Sequence, residues 1–364
     1  MRLELELRID LPDTFRSNRV RSMYNVTPEL AAVHRISADA PFESRDWRIG
    51  LVVGPSGTGK TSVGSRIGDL FRGAEWPADK PIIDSIGADA SVDDAAGALS
   101  AVGLGTVPSW LRPYHVLSGG ERFRADLARI LMGPVGSAPL VYDEFTSVVD
   151  RTVAKIGAAA FAKAWRRRVD GARFVALSCH RDVTEWLCPD WVLDTEDWSF
   201  SWRSLRRPPP IEVDVFRTDR RAWPSFERHH YLKLNLPLGA FYVGTVGGEP
   251  VVHVAVRSTT TGGALLTRLV VMPEWQGAGI GLKFLDYIAE GWRSGELAFK
   301  GRGRWPIRIH TSHPGLIAGL SRRSGWTFAG SVIGKKRGAA GTRANRDLTA
   351  GHLRAVSSFQ WIGK

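Results

Sequence analysis

The sequence predicts an α/β protein built as two successive domains, and three observations predict it. Apolar runs of strand length alternate with helical stretches through residues 1–205, the pattern of a largely parallel sheet with helices on its faces. Two glycine-rich turns, at 54–61 and 276–281, each follow an apolar strand and precede a helical stretch. Between them stand Pro208, Pro209 and Pro210. Consecutive prolines can join neither a helix nor a central strand, so they read as a stiff linker. The expected division is 1–205, a linker at 206–211, and 212–364, the second part a mixed α/β domain.

The elements follow in chain order. Residues 1–7 alternate leucine with charge, which is a strand pattern and not a signal peptide. Residues 49–53, 140–142 and 173–177 are continuous apolar runs, as strands buried on both faces require. A short strand is also expected at 81–83. Beyond the prolines, strands are expected at 240–246, 250–257 and 265–272, followed by a helix over 281–292. Leu282, Leu285, Ile288 and Ala289 form the apolar stripe of that helix. Residues 335–346, rich in Gly, Ala, Lys and Arg, read as a loop.

Composition narrows the function classes. No apolar run approaches the roughly 20 residues of a membrane helix, so no membrane partner and a cytoplasmic location are expected. Cys179 and Cys188 are the only cysteines. Their spacing makes no metal signature, and reduced thiols follow. The net charge of +12 is uneven. Residues 1–205 hold 25 Lys and Arg against 27 Asp and Glu, whereas 206–364 hold 24 against 10. A basic second half suggests a nucleic-acid partner. Solubility and attraction to cofactor phosphates are the alternative.

Gly54-Pro55-Ser56-Gly57-Thr58-Gly59-Lys60-Thr61 matches the P-loop pattern in full, after a strand and before a helix starting near Ser62. Glycines let backbone N–H groups turn toward phosphates, and the helix N-terminus adds partial positive charge. Gly54, Ser56, Gly57, Gly59, Lys60, Thr61 and Ser62 are the expected nucleotide cradle. Lys60 reaches the β- and γ-phosphates of ATP, and the Thr61 hydroxyl binds Mg²⁺. The strand 140–142 ends in Asp143 and Glu144. A carboxylate there suits Mg²⁺, and its neighbour suits the attacking water.

Leu117-Ser118-Gly119-Gly120-Glu121-Arg122 resembles the signature motif of ABC ATPases, and it sits between the P-loop and the acidic strand. The resemblance covers about residues 20–200. It implies a P-loop NTPase fold, Asp143 as the Mg²⁺ carboxylate and Glu144 as the catalytic base. Residues 147–150 resemble the D-loop of that family. His180 matches its switch histidine. Ser118, Gly119 and Gly120 would serve the nucleotide of a partner subunit, so the resemblance implies a head-to-tail homodimer closed around two ATP molecules. The family's Gln between P-loop and signature has no counterpart, because the glutamines are Gln276 and Gln360. Asp84 or Ser85 stands there instead. Tyr24 is the candidate to stack on adenine, or else a core tyrosine.

Val271-Met272-Pro273-Glu274-Trp275-Gln276-Gly277-Ala278-Gly279-Ile280-Gly281 resembles the acetyl-CoA motif of GNAT acyltransferases. The resemblance covers about residues 212–332 and implies an N-acyltransferase fold that binds acetyl-CoA or another acyl-CoA. Val271, Gln276, Gly277, Gly279 and Gly281 are the implied contacts. Members of that family often use a Glu on the preceding strand as base, yet no acid lies between Glu249 and Glu274. Histidine suits proton transfer near neutrality. His229, His230 and Tyr231 are the cluster proposed for catalysis or substrate contact, with His230 and Tyr231 foremost. His253 and His310 read as structural. More faintly, His229-His230-Tyr231, the glycine turn and Ser312-His313-Pro314 ahead of a basic Arg322-Arg323 helix resemble Mom-type DNA-modification proteins.

The leading expectation is thus an ATP-hydrolysing protein whose acyltransferase domain acts on nucleic acid, by DNA base modification. One alternative is an ATP-regulated protein or small-molecule N-acetyltransferase. Another is a transporter ATPase with an accessory domain.

Overall fold

The structure is a computed structural model that describes residues 2–8, 13–27, 33–87, 89–134, 136–204, 207–230, 236, 238–259, 262–297, 306–333 and 355–363. The chain divides into two compact units. One comprises Met1–Ala74, Pro134–Val148 and Trp165–Pro208; the other comprises Glu75–Gly133, Val149–Ala164 and Pro209–Lys364.

The first unit is built on a six-stranded sheet. Its order is Asp69–Phe71, Leu140–Tyr142, Phe174–Ser178, Ile49–Val53, Trp191–Asp194 and Phe200–Trp202. The first five strands run parallel and the last is antiparallel. Ile49–Val53 and Phe174–Ser178 are buried at every residue, as uninterrupted apolar runs demand when both sheet faces are covered. The alternating N-terminus forms Arg2–Arg8, paired antiparallel with Val33–Asp39.

Gly50 shows how tightly this sheet is filled. A Cβ there would lie 2.1 Å from the Trp191 ring. That ring cannot move aside, because it stacks on Phe42 at 5.3 Å and meets Trp47 edge-on at 5.2 Å. Gly50→Ala is therefore expected to cost about 1–3 kcal/mol through overpacking. Urea unfolding checks it, and an unchanged midpoint would show that the aromatic cluster yields.

The second unit carries a seven-stranded sheet. Its order is Trp326–Ile333, Ala355–Trp361, Ile307–Thr311, Gly263–Val271, Glu249–Thr259, Ala240–Val246 and Asp214–Thr218. All neighbours are antiparallel except the pair Gly263–Val271 and Ile307–Thr311. Helix Ile280–Ser294 buries Ile280, Phe284, Leu285, Ile288 and Trp292 in the core of this unit, the stripe its periodicity requires. The pairing of Glu249–Thr259 with Gly263–Val271 shifts register between His253 and Ala255. Arg268 on the opposing strand has φ 55°, the mark of a bulge that re-aims neighbouring side chains.

Helices Val92–Ala101 and Gly119–Met132 pack on each other within this second unit, and Pro314–Ser321 packs on Val92–Ala101. Residues 81–83 form no strand. Ile82–Ser85 is a 3₁₀ turn, with the Asp84 N–H donating to the Pro81 carbonyl and the Ile82 N–H to that of Arg112. Helix Pro314–Ser321 holds no basic residue; Arg322 sits at its C-cap and Arg323 beyond it. Among the described residues, no helix is long and apolar enough to cross a membrane.

Candidate functional sites

In the first unit, strand Ile49–Val53 feeds the loop that ends at helix Lys60–Ile67. Gly54, Gly57 and Gly59 have φ of 154°, 84° and 89°, a region that a side chain disfavours. A Cβ on Gly54 would strike the Thr195 hydroxyl at 2.2 Å, whereas Gly57 faces open space. The Lys60 ammonium folds back onto the loop, donating to the carbonyls of Gly54 at 2.9 Å and Pro55 at 2.6 Å. Thr58 closes the loop by donating to the Pro55 carbonyl at 2.9 Å. Ser56 is exposed, and Ser62 lies in the first turn of the helix.

The acidic strand end meets this loop. The Thr61 hydroxyl donates to the Asp143 carboxylate at 3.0 Å. Glu144 is exposed with φ 55°, and its N–H donates to Asp143 at 3.0 Å. The Ser147 hydroxyl donates to the Glu144 carboxylate at 2.6 Å. His180 follows the next strand, its N–H donating to Ser178 Oγ at 3.1 Å. The donor set fits a phosphate–Mg²⁺ group. Backbone amides and an ammonium flank the loop, with one hydroxyl–carboxylate pair beside them. Among the described residues no three His, Cys, Asp or Glu side chains gather as a protein-only cage. Mg²⁺ does not need one, since it keeps waters and phosphate oxygens. Tyr24 is exposed at the C-terminal end of helix Phe15–Tyr24.

The remaining residues expected to contact nucleotide belong to the second unit. Ser118 caps helix Gly119–Met132 in a full capping box. The Glu121 N–H donates to the Ser118 hydroxyl at 3.3 Å, and the Ser118 N–H donates to the Glu121 carboxylate at 2.9 Å. Gly119 and Gly120 are the first two helical residues. A Cβ on Gly120 would press on Val153 at 3.1 Å. Glu121 also accepts from the Ser109 hydroxyl at 2.5 Å. These bonds hold its carboxyl below the usual range, although burial opposes them as the largest single influence.

The second glycine turn stands in the same unit. Strand Gly263–Val271 leads through the 3₁₀ turn Pro273–Trp275 to Gln276, Gly277 and Gly279, and helix Ile280–Ser294 begins. Gly277 and Gly279 have φ of 95° and 79°. Gly279 caps the helix and faces open space, while a Cβ on Gly281 would meet Val271 at 2.9 Å. The start of this helix, capped by the exposed Gly279, has N–H groups without helical partners and the positive end of its dipole, which suits a pyrophosphate. Gln276 looks the other way. Its Oε1 accepts from the Gly105 N–H at 2.9 Å, and its Nε2 donates to the Val271 carbonyl at 3.0 Å. A Cβ on Gly277 would lie 3.0 Å from Gly103 Cα. Gly279 thus presents the turn's open side, Gly281 lies close against Val271, and Gln276 and Gly277 approach residues 103–105.

The histidines separate by environment. His230 lies edge-on to Trp223 at 5.8 Å, and His229 accepts from Arg228 Nε at 3.0 Å. Burial is the main cause that pushes the His229 pKa down. Tyr231 lies outside the described residues, as do 335–346. His313 is an N-cap. Its Nδ1 accepts from the Leu316 N–H at 3.3 Å, which leaves Nε2–H to donate to the Gly105 carbonyl at 2.9 Å. His310 is exposed on its strand. Arg323 is ion-paired to Asp286, so it is a core link and not a free basic group.

His253 is fully buried, ringed by Trp223, Phe226 and Phe241. Burial pulls its pKa from 6.5 to about 4. The unfolded chain therefore binds the proton first as pH falls. The neutral ring's contribution is complete above about pH 6.5 and is lost progressively toward pH 4. It amounts to about 3 kcal/mol at roughly 1.4 kcal/mol per pH unit. Urea midpoints between pH 7 and 4.5 should fall more steeply in the wild type than in His253→Gln, and equal slopes would remove His253 as the cause.

Three features escaped the sequence reading: Arg124, the bulge at Arg268, and the ring of aromatics about His253. Arg268 gave a partial signal as a lone charge in an apolar strand. Arg124 gave none, since two of its three carbonyl partners are 149 and 150 positions away.

No protein-family model matches the chain, and no curated protein matches it either. Solved structures do. A dimeric ATP-binding cassette in a post-hydrolysis state with ADP and Pi is 12% identical, with TM-score 0.36, over 53% of this chain and 94% of that one. The ribosomal-protein alanine N-acetyltransferase of Escherichia coli is 14% identical, with TM-score 0.31, over 42% and 96%. An N-acetyltransferase from Staphylococcus aureus is 8% identical, with TM-score 0.30, over 41% and 97%. The functional reading of each half therefore rests on its own residues.

Proposed function

We propose that this protein couples an ABC-type ATPase at 1–205 to a GNAT-type, acyl-CoA-dependent N-acyltransferase at 212–364, acting on nucleic acid. The observation that carries the ATPase reading is the Thr61 hydroxyl on the Asp143 carboxylate beneath a P-loop followed directly by Glu144. Lys60 and the loop amides hold the β- and γ-phosphates. Thr61 and Asp143 hold Mg²⁺, which neutralises phosphate charge when bound. Glu144 polarises the attacking water, and His180 faces the γ-phosphate. Ser118, Gly119 and Gly120 close on the nucleotide of a second copy in a head-to-tail homodimer.

In the second domain the amides after Gly279 hold the pyrophosphate of the acyl-CoA. His230 and Tyr231 attend the acceptor. The acceptor nitrogen would bond the acyl carbon as the C–S bond breaks and CoA leaves as its thiolate, the nitrogen's proton passing to a neighbouring base and on to that sulfur. Support for a nucleic-acid acceptor is the charge division, 24 Lys and Arg against 10 Asp and Glu in 206–364.

Mass spectrometry of nucleosides from expressing cells tests the acceptor. A modified nucleoside should appear with the wild type and vanish with Lys60→Ala or Gly279→Glu. Unchanged nucleosides beside a newly acylated protein lysine or small amine would replace nucleic acid by that acceptor. Binding to DNA should also weaken steeply between about 50 and 200 mM salt if phosphates are contacted. A flat salt profile would oppose it.

A further inference from the structure

We propose that Arg124 is a positioning residue for the acyl-CoA turn, and that nucleotide engaged at Ser118 tightens acyl-CoA binding through it. The proposal rests on the reading of these two places as nucleotide- and CoA-binding.

Arg124 lies on helix Gly119–Met132, six residues after Ser118, or about 9 Å along the axis at 1.5 Å per residue. Its side chain is buried at 3% exposure. The guanidinium donates to the carbonyl of Gly103 at 2.9 Å, to that of Pro273, and to that of Glu274 at 3.0 Å. Desolvation is the main cause that pulls its pKa down to about 10, so the ion depends on those carbonyls for its solvation. Pro273 and Glu274 open the turn whose next residues are Gln276 to Gly281. Arg124 thus holds the entry of the turn and helps to keep its amides aimed.

A second strut leaves the same helix end. Glu121, which completes the cap of Ser118, also takes the Ser109 hydroxyl at 2.5 Å. The short segment before Ser109 carries the Gly105 N–H to Gln276 and the Gly105 carbonyl to His313. Both struts begin within two helical turns of Ser118 and end on residues that open the turn, Pro273, Glu274 and Gln276. A helix moves as a body, and packed interiors transmit displacement with little give. A ligand that fixes the Ser118 end therefore fixes the turn, and acyl-CoA then finds its amides already ordered. Linkage requires the converse by the same factor.

The test uses the full chain, with acetyl-CoA titrated by calorimetry alone and with a saturating non-hydrolysable ATP analogue and Mg²⁺. The acetyl-CoA Kd should fall about fivefold or more, and the analogue's Kd should fall by the same factor with acetyl-CoA present. Arg124→Lys keeps the charge and loses the fork that spans three carbonyls. It should bind both ligands with the mutual effect reduced below about twofold. If that variant unfolds by circular dichroism, the wild-type reciprocity decides alone. Two ligands that bind without tightening each other, or a lysine variant with the full effect, would overturn the coupling and leave both sites standing. Failure of the wild type to bind either ligand would overturn the functional reading and the coupling with it.

Discussion

Glu144→Gln should hydrolyse ATP at least about 100-fold more slowly while still binding it, because a positioned base contributes on that order. The amide keeps the shape of the side chain and the Ser147 contact at 2.6 Å, but it cannot polarise a water as a carboxylate does. On the proposed reading, Thr61 and Asp143 would still hold Mg²⁺. Loaded with ATP and unable to discharge it, the variant should accumulate as a dimer. Phosphate release and light scattering with ATP and Mg²⁺ measure the two effects. Wild-type turnover would remove Glu144 from its role. A variant that turns over slowly but stays monomeric at saturating nucleotide would instead remove the head-to-tail assembly.

Gly279→Glu should lose acetyl-CoA affinity by roughly 100-fold or more. The variant carries two costs. The backbone at φ 79° disfavours any side chain by about 1–2 kcal/mol. A carboxylate beside a pyrophosphate adds repulsion of about 4 kcal/mol per charge pair at 4 Å in a surface-like dielectric. The fold should survive, since a Cβ at 279 meets nothing within 4 Å. Gly279→Ala separates the costs by bearing the first alone, which falls on the free and the bound protein alike, so it should lose stability but bind within a few-fold of the wild type. Calorimetry on the full chain reads both. Equal affinity in the glutamate variant would mean that the turn holds no phosphate.

Much of this arrangement was legible in the sequence because its signals are local. Strands 240–246 and 140–142 match their expected ranges. Residues 49–53 and the turn at 276–281 show both the expected burial or backbone and the expected neighbours. Glycines that need positive φ, a serine cap three residues before a glutamate, and apolar runs of strand length announce themselves within a few positions. Residues 81–83 misled for the same reason. Two isoleucines after proline suggest a strand, yet the Ile82 N–H goes to the Arg112 carbonyl and not to a sheet. The role of Gln276 was illegible because its partner, Gly105, is 171 positions earlier. Which unit a helix joins is likewise decided by pairs such as Arg124 with Pro273, which no window along the chain contains.

That pairing also sets an order of events during synthesis. Helix Gly119–Met132 leaves the ribosome long before Pro273 exists, 149 positions downstream of Arg124. At about 5–20 residues per second the interval is roughly 7–30 s. During it, the guanidinium lacks two of the three carbonyls that shelter it in the finished protein. The nascent N-terminal half can pack that helix on Val92–Ala101, but the Arg124 guanidinium must wait for carbonyls that have not yet been translated. A chain cut at the prolines would emerge with a charged group prepared for two carbonyls it never receives.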